Sequence, residues 1–370
     1  LDAALAGAPP GRITSGLPAA LAEALGMLDA ACRRAATEIG DVKSEDPDPV
    51  RKQQARAMLG EISETAQRLV AASTHDVAWI EKDDRRHAVV VAPLSVAATL
   101  ASHLYEERTV VATSATLALG GRFDTIARAL GLAEKPSTED PTVAPSWRSL
   151  DVGSPFDYPK QGILYVAAHL PRPSQSGLSE PAAEELVALV QASEGGTLGL
   201  FSSRRAAERA AEVLRAKTDL TVLLQGEEPL PLLVRRFRAD RATCLMGVMS
   251  LWQGVDVPGD ACQLVVIDRL PFPRPDEPLA AARSDAVDAA GGSGFAAVSV
   301  PIAAIRLAQG VGRLIRSGQD RGVVAVLDSR LETARGYGGY LRRSLPPFWY
   351  TTRPEVVHAA LRRLARASTG

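Results

Sequence analysis

The stretch TLGLFSSRRAAERAAEVLRAK, from Thr197 to Lys217, sets the reading of the whole chain. A short apolar run, Thr197 to Phe201, has the length of a buried strand, and after Ser202 and Ser203 it gives way to a helix over Arg204 to Lys217. The same unit recurs on both sides. Apolar runs lie at Ile163 to Ala167, Thr221 to Leu224, Thr243 to Val248, Leu264 to Ile267 and Val323 to Leu327. Helical patterns lie near Pro181 to Gln191, Pro229 to Arg238, Glu277 to Ala289 and Val300 to Arg316. Strands that alternate with helices need right-handed crossovers, so the expected fold is α/β with a doubly wound parallel sheet.

Upstream the pattern changes. A linker rich in Pro, Ser and Thr runs from Glu134 to Pro159. Before it, Val77 to Ile80 and Ala88 to Ala92 read as a hairpin around the charged turn Glu81 to Arg86. Ser95 to Tyr105 and Gly121 to Leu130 read as helices, with a buried strand at Thr109 to Ala112 between them. Earlier still, Leu21, Leu25, Leu28, Cys32 and Ile39 recur at helical spacing, and Met58, Ile62 and Leu69 mark one side of a second helix, so an antiparallel pair is expected.

The chain has 370 residues, enough for two or three domains, with 46% hydrophobic and 23% charged residues. No apolar run approaches the ~18 residues of a membrane-spanning helix, and Leu1 to Pro10 has no signal-peptide character, so a cytoplasmic protein with no membrane partner is expected. Cys32, Cys244 and Cys262 stand far apart, and the five histidines lack ligand spacing, which predicts no metal on this chain. The net charge of -1 does not mark a nucleic-acid binder. Arginine nevertheless supplies 36 of the 42 basic residues, a bias that suits bidentate phosphate contacts or follows from genome composition.

Gln309-Gly-Val-Gly-Arg-Leu-Ile-Arg316 carries the most chemistry. Continued as a helix, it places Gln309, Arg313 and Arg316 within an arc of about 60°, opposite Ala304, Ala308, Val311 and Ile315. A solvated basic face is the plain alternative. The pattern QxxGRxIR resembles helicase motif VI, and through it the chain resembles the DinG/XPD-type superfamily-2 DNA helicases. Other pieces fall in that family's order. Thr113-Ser114-Ala115-Thr116 looks like motif III, and Ser202-Ser203-Arg204 looks like motif IV. Ser250-Leu251-Trp252-Gln253-Gly254-Val255-Asp256 is similar to motif V, with Gln253 where many members carry Glu. Gln225-Gly226, Leu270-Pro-Phe-Pro273 and Ser329 to Gly338 also resemble the family's second motor domain. Read alone, the serine clusters are ordinary helix caps and the segment ending in Pro258-Gly259 an ordinary turn.

The resemblance implies a RecA-like second helicase motor domain over 151–370. It implies the last strands of the first motor domain, with a linker, over 77–150, and a helical Arch-like stump over 1–76. Arg313 and Arg316 are implied as arginine fingers toward the γ-phosphate, worth ~10³ to 10⁵ in rate. Gln309, Gly254 and Asp256 would attend the nucleotide. Thr113, Ser114, Thr116, Ser202, Ser203, Arg204, Ser250 and Trp252 would couple it to single-stranded or forked DNA. No Gly-Lys pair exists in the sequence, so there is no GxxxxGK[ST] loop, nor a DEAH-like box. ATP and Mg2+ are therefore expected to sit mainly on a missing N-terminal motor domain, any iron–sulfur cluster lies off this chain, and the chain alone is expected to be inactive. Two rivals remain: a non-catalytic nucleic-acid-binding or partner-docking module, and an unrelated doubly wound enzyme.

Overall fold

The computed structural model describes residues 1–43, 45–83, 86–132, 147–174, 177–248, 251 and 261–367. The chain divides into two compact units: Leu1–Leu104 with Arg274–Val298, and Tyr105–Pro273 with Ser299–Gly370. These limits differ from the boundaries expected near 76 and 150. The hairpin groups with the N-terminal helices, and the segment after Leu104 groups with the large sheet.

In the first unit, helices Ala19–Ile39 and Pro49–Ala71 run antiparallel. Arg56 reaches the Gly40 carbonyl and Asp41 at one end, and Asp29 meets Ser63 and Gln67 further along. The second helix begins where Asp48 caps it by accepting from the Arg51 N–H, with Pro49 in the first turn. Leu21, Leu25 and Cys32 are buried as expected, but the second helix buries Ser63, Ala66 and Leu69 while Met58 and Ile62 face solvent. The small side chains at 63 and 66 let the helices approach, and Ser63 Oγ donates to the buried Asp29 carboxylate at 2.5 Å. That bond, with those of Gln67 and Arg33, holds the Asp29 carboxyl below the usual range. Strands β1 (Gly11–Arg12), β2 (Asp76–Lys82) and β3 (His87–Pro93) form an antiparallel sheet, with Ile80 completing a core around Leu5, Leu21, Leu25 and Leu69. Helix Pro278–Ala289, expected among the crossovers of the large sheet, packs instead on β2, and Arg283 Nε donates to the Leu94 carbonyl at 2.8 Å.

The second unit is built on seven parallel strands: β4 (Gly162–Val166), β5 (Thr197–Leu200), β6 (Thr221–Leu224), β7 (Thr243–Gly247), β8 (Leu264–Ile267), β9 (Gly322–Val326) and β10 (Trp349–Thr351). Their order across the sheet is β10-β4-β9-β8-β5-β7-β6. Because side chains alternate along a strand, each strand feeds two cores. Leu164, Leu198, Leu245, Val265 and Val324 face helices Leu230–Ala239 and Val300–Val311, meeting Phe237 and Leu307. Tyr165, Cys244, Met246, Val266 and Ala325 face helices Glu180–Ser193, Arg204–Lys217 and Pro354–Ala367. Helices on both faces make the sheet doubly wound, and each fully buried Leu or Phe contributes about 1.5 to 3 kcal/mol. Cys244 and Cys262 lie in this interior as free thiols, both pushed up to about 12 by burial. At the sheet margin Gly162 has the Phe348 ring where a Cβ would stand, at 2.3 Å, so any side chain there would displace the ring.

Two expectations fail in this unit. Thr109–Ala112 forms no strand, and Val111 is 82% exposed. No described strand pairs with it, and an apolar run without a ladder partner has no sheet to join. Helix Val300–Val311 also ends short of Arg316, so the shared helical arc for Gln309, Arg313 and Arg316 does not exist.

Candidate functional site

Parallel sheets present their loops at two edges, and the expected site residues divide between them. At the carboxyl edge, β5 runs out through buried Phe201 into Ser202. Ser202 N and Oγ donate to the two oxygens of Asp268 at 2.8 and 2.9 Å, and Asp268 follows β8 next door. Ser203 caps helix Arg204–Lys217, its Oγ accepting from the Ala206 N–H at 3.2 Å. An accepting hydroxyl keeps its own O–H, so Ser203 can donate outward. Arg204 and Arg205 are exposed on the same first turn. The Arg204 guanidinium lies over Gly226, whose φ of +103° and missing Cβ leave room for it; a Cβ would stand 2.4 Å from the guanidinium nitrogen. This edge thus offers an N-terminal helix turn, a free hydroxyl proton and cations, the ingredients of an anion cradle.

Buried carboxylates hold the edge together. Asp268 lies 3.9 Å from Arg269 and is fully enclosed; burial raises its carboxyl to about 6, against the opposing hydrogen bonds of Ser202. Asp328, after β9, accepts from the Leu270 N–H at 3.0 Å and from Arg330, whose guanidinium it meets at 2.6 Å. Arg330 also stands 5.8 Å from the Phe272 ring centre, and Phe272 meets Tyr337 edge-on at 5.4 Å. Neither aspartate was singled out from sequence, although each directly follows an apolar run, the signal that could have found them.

Arg313 and Arg316 belong to the opposite edge, because they precede the first residue of β9. Helix Val300–Val311 closes through Gly312, whose N–H bonds the Ala308 carbonyl. Leu314 and Ile315 then turn into the core. Buried Asp320 takes the Arg316 N–H at 2.7 Å, the Ser317 N–H at 2.8 Å and the Ser317 hydroxyl at 2.6 Å. Gln161 braces the same turn, its amide donating to the Ser317 and Asp320 carbonyls at 2.9 and 3.2 Å. The backbone that carries Arg316 is therefore fixed while its side chain is exposed; Arg313 and Gln309 are half-buried.

Thr113 and Ser114 are exposed and Thr116 half-buried, in a turn where Ser114 Oγ accepts from the Thr116 N–H. Just beyond, Leu119 is buried and the Gly120 N–H donates to Ser344 Oγ at 2.7 Å. Ser250, Trp252, Gln253, Gly254 and Asp256 lie outside the described residues; Leu251 among them is described and buried. Among the described residues no helix is long and apolar enough to cross a membrane.

Residues 186–348 match the helicase C-terminal domain family. The chain is 53% identical over 325 residues to the ATP-dependent helicase DinG of Mycobacterium tuberculosis, covering 85% of this chain and 47% of that protein. It is 38% identical over 269 residues to the ATP-dependent DNA helicase YoaA of Haemophilus influenzae, covering 72% and 40%. The chain thus spans about half the length of the curated relatives it matches. The solved structure of S. tokodaii Xpd4 superposes with a TM-score of 0.53 at 14% identity, covering 94% of this chain and 63% of that one, a likeness of fold.

Proposed function

We propose that this DinG-like superfamily-2 helicase chain, which carries a helicase C-terminal domain, serves as the second motor domain of an ATP-dependent DNA helicase. In this reading the two edges of its sheet divide the labour. The amino edge supplies Arg313 and Arg316 to the γ-phosphate of an ATP–Mg2+ held mainly by another motor domain, with Gln309 in support. The carboxyl edge holds a backbone phosphate of single-stranded DNA through Ser203 and Arg204, which Ser202, bound to Asp268, keeps in place. Thr113, Ser114 and Thr116, with Ser250, Trp252, Gly254 and Asp256, link nucleotide state to the strand. Translocation in repair or replication, in the cytoplasm, follows from that assignment.

The observation that carries the proposal is the Asp320-anchored turn. An arginine finger acts on charge that develops during phosphoryl transfer, so it gains from a backbone that needs no reordering at that moment. Here two N–H groups and one hydroxyl on a buried carboxylate supply that rigidity. The exposed Val110 and Val111 fit a strand whose sheet partners belong to the first motor domain.

The test joins this chain to a nucleotide-binding first motor domain and measures DNA-stimulated ATP hydrolysis. Arg316→Ala is expected to lower the rate by ~10³-fold or more with strand binding largely kept. Full hydrolysis by that variant would overturn the assignment.

A further inference from the structure

A cavity of about 550 Å³ opens at the amino edge, where β4, β9 and β10 begin. Trp349, on the edge strand β10, is 48% exposed and forms part of its lining. Val356, Ala360 and Leu364 of helix Pro354–Ala367 contribute apolar surface. Three cations, Lys160, Arg321 and Arg363, stand around the same space. Their nearby acid is limited: Asp157 pairs with Lys160 at 2.8 Å, whereas Arg321 donates to the Gly318 and Asp320 carbonyls. The Arg363 guanidinium has no hydrogen bond or ion pair with another described residue. Arg362 and Arg366 extend the positive charge along the same helix.

An indole face beside positive charge in excess of negative is complementary to a ligand that is flat and aromatic at one end and anionic at the other. The volume lies within the usual range for small-ligand pockets, roughly 300 to 1,000 Å³. Gln161 stiffens the cavity wall, since this buried side chain is tied to the turn bearing Arg316.

We propose that this cavity is a nucleotide-unit binding site, with a base stacked on Trp349 and its phosphate held by Arg363, Arg321 and Lys160. The site is separate from the carboxyl-edge cradle and from the arginine pair, and goes beyond the function proposed above. The unit comes either from a DNA strand that continues past the sheet or from a free mononucleotide.

The test uses the full 370-residue chain, with fluorescein-labelled dT12 followed by polarisation and unlabelled dTMP followed by calorimetry. Trp349→Ala is expected to weaken binding about tenfold, the ratio typical of one lost stacked base, with the salt dependence unchanged. Arg363→Glu is expected to weaken it by a similar factor and to lower the slope of log affinity against log salt by about 0.7. Arg363→Lys should retain most of the affinity. Both positions are surface ones, and circular dichroism verifies folding of each variant. If dT12 and dTMP respond alike, the source is a free nucleotide; if dT12 alone binds and responds, it is a strand. Parent-like binding of both probes by the two disruptive variants, or no binding by the parent, overturns the proposal. Loss of dT12 binding on Arg204→Glu with none on Arg363→Glu overturns it too, and leaves the carboxyl-edge reading standing.

Discussion

The carboxyl and amino edges of the large sheet both rest on a buried aspartate, yet each uses it differently. Asp268 grips the backbone and side chain of Ser202, so a candidate contact residue is itself immobilised. Asp320 grips the N–H groups of Arg316 and Ser317 and so fixes the backbone beneath an exposed arginine side chain. The first arrangement suits a residue that fixes its neighbours, Ser203 and Arg204, at the start of their helix. The second suits a long cation that must act at a distance from a stable base. Asp328 is a third case, a carboxylate neutralised by its own arginine two residues on.

That contrast can be broken by experiment. The largest effect is expected for Arg316→Ala in the two-domain motor, ~10³-fold or more in hydrolysis, against a small change for Ser202→Ala; equal losses in DNA-stimulated turnover would erase the distinction between edges. Next comes Asp328→Ala, which leaves Arg330 without its partner and the Leu270 N–H unmet. Denaturant unfolding should show a loss of about 3 to 5 kcal/mol, and a loss under 1 would place the pair among weak surface bridges. Asp320→Ala should cost roughly 2 to 3 kcal/mol through three lost hydrogen bonds, and should also depress hydrolysis in the two-domain motor although it touches no nucleotide.

Asp268 supplies a pH signature. Its carboxyl is raised from 3.8 to about 6, so the fold favours the protonated form. The stability this contributes is complete below about pH 4 and is lost as pH rises through 6. Asp268→Asn keeps a neutral partner for Ser202 at every pH. Relative to the parent it should therefore gain about 2 kcal/mol between pH 4 and 7, read as the difference of two unfolding curves, and a flat difference would sink the assignment. The smallest effect is expected at Ser203→Ala, about 1 kcal/mol for a lost helix cap, together with a modest weakening of strand binding.

Much of the sheet was legible because burial on both faces produces unbroken apolar runs, and all six expected runs are strands. The seventh, β10, was not, since three residues at a half-exposed sheet margin leave no pattern to read. Thr109 to Ala112 shows the converse error, an apolar run without a described ladder partner. The apolar period continues past Gly312, so the sequence extends the helix through Gln309 beyond its end at Val311. After Val311 the chain tightens into i→i−3 turns, the Arg313 N–H bonding the Gly310 carbonyl and the Leu314 N–H that of Val311, and Asp320 then takes the N–H groups of Arg316 and Ser317. The α/β alternation, the order of the motifs and the residue types able to hold phosphate follow from the amino-acid sequence alone, because they depend on local periodicity and side-chain chemistry. Tertiary structure alone decided which edges the Ser202–Arg204 and Arg313–Arg316 segments occupy, that helix Pro278–Ala289 joins the first unit, and that Asp268 and Asp320 anchor the two edges. Those outcomes depend on which distant donors and acceptors meet in the interior, and spacing along the chain carries no record of that.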